Sequence, residues 1–324
     1  MHNAGATDMD PVLLFFLFGL AAGLLRSELR LPAAAYDLVS MLLLLSIGLK
    51  GGVEIAHQSL AMLAGQACVV IAMAMLLPII GFQVLRTLGR LGRADAAAIA
   101  AHYGSVSVGT YAVAVAYFTR RQVAFEPHMS FLLAIMEVPA IVVGILLARG
   151  LARTPALGTL AREVLLGKGI VLLAGGLAIG WASGAEALAP VTPLFFDLFK
   201  GFLALFLLEM GLVTSTQIGA LRQHGPFLLV FAIAMPLFSS VVGTAVGLAL
   251  GLSLGGTAML ATLAASASYI AVPAAMRVAV PEANPTLSLA ASLGVTFPFN
   301  ILIGIRLYHA LAIKATSLAA LARP

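Results

Sequence analysis

Long apolar runs decide what this chain can fold into. Pro11 to Leu25 and Leu60 to Leu85 contain no charged residue, and runs like them recur to the end of the chain. About 20 apolar residues cross the ~30 Å hydrocarbon core of a bilayer as a helix, whereas a membrane barrel shows alternating segments of about 10. Only 10% of the residues are charged and 61% are hydrophobic, against roughly 25% charge in a soluble domain. The runs predict spans at 11–25, 33–49, 60–86, 94–118, 128–150, 164–182, 193–213, 226–251, 255–279 and 284–313. The expected fold is therefore all-α and integral to the membrane, with about ten transmembrane helices joined by short connections.

The net charge of +5 reads as orientation rather than nucleic-acid binding, because basic residues concentrate on the cytoplasmic side of membrane proteins. Arg26, Arg30, Arg86, Arg90, Arg93, Arg149, Arg153, Arg162, Lys168, Arg222 and Arg277 fall on one side, and Lys50, Arg120, Arg121, Lys314 and Arg323 on the other. That bias predicts a multi-pass protein of the plasma (inner) membrane with both termini outside the cytoplasm. Lys200 and Arg306 fall inside predicted spans, and Arg306 is expected to snorkel outward. The single cysteine, Cys68, excludes an intramolecular disulfide. Nucleotide-binding and zinc-protease motifs are missing from the sequence, which argues against an enzyme.

The two halves of the chain resemble each other. Asp37 pairs with Asp197, Gly48 with Gly211, Pro78 with Pro236, Ser105 with Ser266 and Pro139 with Pro298, at separations of 160, 163, 158, 161 and 159 residues. Five spans per half is an odd number, so the second copy must sit upside down, as in many secondary transporters. The expected organisation is a first five-helix repeat over 1–157 and a second, inverted one over 158–324. Asp37 and Asp197 are expected near the interface.

Transporters of that design hold substrate near the midplane, where interrupted helices aim their N-termini at an anion. Two small polar islands occupy equivalent repeat positions, Tyr103–Thr110 and Ala265–Pro273. Close helix packing by small residues is the competing explanation. A carboxylate inside a span, here Glu137 before Val138 and Pro139, costs at least ~2.5–3.5 kcal/mol on insertion scales and usually serves a cavity, a cation or a proton path. Its repeat counterparts Thr296 and Asn300 offer neutral oxygens. His102 is expected to be a packed, neutral histidine, and Glu209 and Lys200 lie too far apart for a helical ion pair.

Three tracts carry a family resemblance: Ile47-Gly48-Leu49-Lys50-Gly51-Gly52, Met136-Glu137-Val138-Pro139-Ala140, and Ala264 to Ser268 continuing through Pro281-Glu282-Ala283-Asn284-Pro285. Together they resemble the SbtA-type sodium-dependent bicarbonate permeases over nearly the whole chain. The resemblance implies sodium-coupled bicarbonate import, no cofactor beyond sodium as coupling ion, and a homotrimer. It also implies bicarbonate held between the two interrupted helices by Ser105, Val106, Ser107, Ser266, Ser268 and Tyr269. A cation site is expected at Glu137, Thr110, Thr296 and Asn300. Typical members carry an aspartate where this chain has Tyr269, which removes a carboxylate from the expected sodium site. Their long cytoplasmic connection is shortened here, so a PII-like regulatory partner carries over only weakly. Two alternatives stand beside this reading: transport of another small anion or carboxylate, with proton coupling an option, and a non-transporting membrane receptor.

Overall fold

The computed structural model describes residues 10–150, 162, 165–221 and 225–321. The expected repeat boundary at 157/158, and Arg153, Arg222 and Arg323, lie outside the described residues. The described chain is helical throughout, with no strand among the described residues. Lipid offers no hydrogen bonds to a free backbone, so apolar segments satisfy their own N–H and C=O groups within helices.

Helix α1 covers Pro11–Leu24, α2 Ala33–Ile55, α3 Leu60–Thr87, α4 Arg93–Gly104, α5 Val108–Arg120 and α6 Met129–Arg149. Then follow α7 at Lys168–Leu188, α8 at Phe199–Leu221, α9 at Pro226–Ala249, α10 at Leu254–Ala264 and α11 at Ala271–Ala279. The last, α12, runs from Pro285 to Leu321, with wider π-type turns at Ser292–Thr296 and Asn300–Gly304. Seven of these, α2, α3, α6, α7, α8, α9 and α12, are long and apolar enough to cross a membrane.

Several expected boundaries shift, and the spans expected to end at 182, 213 and 313 run on to Leu188, Leu221 and Leu321. The span expected to end at 49 continues as α2 to Ile55, because Gly51 and Gly52 are buried against neighbouring helices rather than marking an exit. A Cβ built on Gly52 would strike the backbone of α7 at Gly180 Cα, 2.9 Å away. The helix expected from 193 begins at Phe199, after a π-type turn over Pro193–Asp197.

Small residues set two helix crossings that are built alike. Gly48 and Gly52 of α2 meet Gly176 and Gly180 of α7, and Gly19 and Gly23 of α1 meet Gly211 and Ser215 of α8. Residues four apart on one face let backbones touch, the usual way membrane helices associate when lipid removes the hydrophobic drive between them. Asp37 of α2 also pairs with Lys168 of α7 at 2.9 Å, both half-exposed. Glu209 Oε2 accepts the Leu31 N–H at 3.3 Å, so it braces the turn between α1 and α2. Lys200 is exposed at the start of α8.

The remaining helices pack around the shorter α4, α5, α10 and α11. Gly104 lies so close to Pro78 of α3 that a Cβ would strike the proline ring. Gly144 of α6 meets Ala101 of α4 in the same way. Residues 96–107 of α4 and the connection after it, and 255–268 of α10 and its continuation, are almost wholly buried.

Candidate substrate site

Two helices stop and restart deep inside this packing. Helix α4 ends at Gly104, and Ser105 is extended with φ −92° and ψ 176°. Helix α5 starts after Ser107, whose Oγ accepts the Thr110 N–H at 3.0 Å as a side-chain cap. Likewise α10 stops at Ala264, and α11 starts at Ala271 with Ser268 Oγ accepting the Val272 N–H at 3.4 Å.

The two breaks cross each other. Ser107 donates its N–H to Ser266 Oγ at 3.0 Å, and Ser268 donates its N–H to the His102 carbonyl at 2.9 Å. Ser266 Oγ donates onward to the Leu263 carbonyl at 2.8 Å, and Ser105 Oγ to the Glu137 carbonyl at 3.3 Å. Those two hydroxyl protons are thereby used. Ser107 and Ser268 differ, because their oxygens accept backbone N–H groups and keep a proton to donate. The opening turns of α5 and α11 add N–H groups that no intrahelical carbonyl can reach. This is the donor set that a small oxyanion requires.

Glu137 completes the site from α6. It is 4% exposed, and its Oε2 has no hydrogen-bond partner. A cavity of about 10 Å³, the size of one water, lies between Glu137, Val106, Ser107, Ser268, Tyr269 and Ile270, with Leu44 of α2 and Gly169 of α7 also in its wall. Gly169 and Ile270 also line a cavity of about 680 Å³ that carries Arg162 and Lys168. On the other side, one helical turn beyond Leu44 and Val108, Ile47 and Tyr111 line a cavity of about 270 Å³ with Lys50, Glu54, Asp197 and Lys200 at its mouth. The polar centre thus lies between two wider cavities, and it shares its walls with the basic one.

The expected residues sort clearly. Val106, Ser107, Ser268, Tyr269 and Glu137 meet around the cavity, with Ser105, Ser266 and Thr110 bonded to its walls. Thr296 and Asn300 do not line it, and both have protein partners. Thr296 Oγ1 donates to the Ala232 carbonyl at 2.6 Å and accepts from Tyr103 OH at 2.8 Å. Asn300 Nδ2 donates to the Ala265 carbonyl at 2.8 Å and its Oδ1 accepts from Tyr308 OH at 2.6 Å. His102 Nδ1 donates to the Ala98 carbonyl at 2.7 Å within its own helix. Ile270 falls within the island expected at 265–273, whereas an apolar Leu44 and a small Gly169 in apolar spans carry no local signal. Tyr308 could have been found as a polar ring in the same span as Asn300.

A multi-pass helical membrane protein whose helices break and cross at a buried polar centre, between cavities on either side, has the build of a transporter rather than of an enzyme. Its family follows from its sequence: the chain belongs to the Na+-dependent bicarbonate transporter superfamily, whose sequence model matches residues 11–313. No curated protein matches the chain.

Proposed function

We propose that this chain imports bicarbonate by sodium symport, with the anion held where the two broken helices cross. The observation that carries the reading is the polar crossing itself, whose cavity has room for one water in this conformation and must widen to take the anion. There, the donor hydroxyls of Ser107 and Ser268 share walls with a buried carboxylate, Glu137, whose Oε2 has no protein partner. An anion would take the hydroxyls and the helix N-termini. A sodium ion would take carboxylate and carbonyl oxygens and offset the charge of Glu137.

The proposal includes two inverted repeats of five spans, counting α4 with α5 and α10 with α11 as one span each. The alike crossings α1–α8 and α2–α7 support it, since each joins the first helix of one repeat to the second of the other. We further propose that the cavity with Arg162 and Lys168 faces the cytoplasm across the inner membrane, on the positive-inside rule. Resemblance to the family supports a homotrimer, and more weakly a PII-like regulator. Glu137 is the only carboxylate among the residues lining the small cavity, which favours proton coupling as the second reading.

Uptake of radiolabelled bicarbonate into proteoliposomes under sodium, potassium or proton gradients at fixed pH tests both. Accumulation that requires an inward sodium gradient supports the symport. Accumulation driven by a proton gradient alone selects the second reading, and no flux under any gradient removes bicarbonate as the substrate.

A further inference from the structure

The two broken helices run antiparallel and are bonded at three levels. The crossing of the breaks is the middle one. At each end, a carboxylate flanking the first broken helix accepts the main-chain N–H of a helix N-cap residue flanking the second. Glu126, in the connection after α5, takes the N–H and the hydroxyl of Ser253 at 2.5 and 3.1 Å, and Ser253 Oγ caps α10 by accepting the Gly256 N–H at 3.0 Å. Asp95, in the first turn of α4, takes the N–H of Asn284 at 2.7 Å, and Asn284 Oδ1 caps α12 by accepting the Thr286 N–H at 3.0 Å. The fit at Glu126 leaves no slack, because a Cβ on Gly255 or Gly256 would strike the Ala124 carbonyl or the Glu126 carboxylate. Charge-assisted bonds of this type are roughly twice as strong as neutral ones, and a carboxylate also suits a helix N-terminus.

We infer that Asp95 and Glu126 are positioning residues for the crossing: they clasp the two broken helices at both ends and so hold Ser107 against Ser266 and Ser268 against His102. The clasped pair behaves as one rigid cradle, and loosening either end lets the breaks slide and weakens substrate binding. For its transport readout the inference rests on the bicarbonate reading above.

The test uses the full chain with Glu126→Ala, Asp95→Ala, and the gentler Glu126→Gln and Asp95→Asn, which keep an acceptor and stand in should an alanine variant fail to fold. In proteoliposomes the alanine variants are expected to raise the KM for bicarbonate about tenfold, the effect of losing one hydrogen bond to a charged group. The maximal rate per folded protein stays unchanged, and the amide variants fall between. A KM that stays at the wild-type value while only the yield of folded protein drops makes both residues simple helix caps and overturns the inference. Hydrogen exchange at residues 105–107 and 265–270, followed without substrate, is expected to speed up in the same variants, and unchanged protection there overturns it independently. Because the exchange arm needs no transport, it still decides the matter if the wild-type chain moves no bicarbonate.

Discussion

Pro236 has no N–H to give the Ala232 carbonyl one turn earlier in α9, and Thr296 Oγ1 reaches across from α12 to supply the bond at 2.6 Å. A residue that reads as a cation ligand therefore repairs a helix. Thr296→Val is expected to cost about 1–3 kcal/mol by stranding that carbonyl and the Tyr103 hydroxyl, and Pro236→Ala, which restores the N–H, is expected to recover the carbonyl's share. Thermal melts of the single and double variants in detergent check this, and additive losses would sink the explanation. Gly109 is equally specific, because the Tyr269 hydroxyl and the edge of the Phe206 ring both occupy the space of its missing Cβ. Gly109→Ala is expected to lower uptake sharply, and Tyr269→Phe in the same chain to restore part of it by vacating that space. If the second change brings no recovery, the Tyr269 hydroxyl is not the obstacle and the Phe206 ring is. Glu137→Gln keeps the shape of the side chain and removes its charge, so sodium is expected to stimulate uptake no more than potassium does. Sodium stimulation equal to wild type would move the cation elsewhere.

At the scale of the helices, close crossings replace the hydrophobic drive that soluble proteins use. Helix α7 separates the two roles of glycine neatly. A Cβ on Gly180 would run into the Leu49 carbonyl of α2, while one on Gly175 has nothing within 4 Å. Gly180→Leu is therefore expected to cost at least 1–3 kcal/mol, roughly 2–4 °C or more in melting temperature, and Gly175→Leu close to nothing. Equal losses from both would mean that glycine acts here only through backbone flexibility. The breaks in α4–α5 and α10–α11 belong to the same scale. Ser107 and Ser268 each accept one of the first N–H groups of the helix that follows the break and leave the others free for a ligand, and Asn300 covers the Ala265 carbonyl that the second break exposes. The sequence marked both breaks, because serines and glycines inside an apolar run are a local anomaly. It could not mark the partners that stabilise them, which arrive from other helices.

Across the whole molecule, the polar centre shares Gly169 and Ile270 with the basic cavity and is separated by one helical turn from the one at Lys50 and Lys200. In a Cys68→Ser background, Val278→Cys is expected to react with a membrane-impermeant thiol reagent in inside-out vesicles, and Lys50→Cys in right-side-out ones. Labelling of both from one face would refute the orientation. The sequence by itself determined the class of fold, the placement of most spans and the two islands where the breaks lie. Those follow from local composition, since a bilayer sorts segments by length and hydropathy alone. Only the tertiary structure decided which serine hydroxyls stay free to donate, that Leu44 and Gly169 line the site, and that Thr296 and Asn300 have carbonyls to cover. It also decided that Glu126 bonds the N-cap residue of α10 and Asp95 that of α12. Each of these depends on a contact between residues far apart in the chain, and periodicity and composition hold no record of which distant carbonyl or amide a side chain will meet.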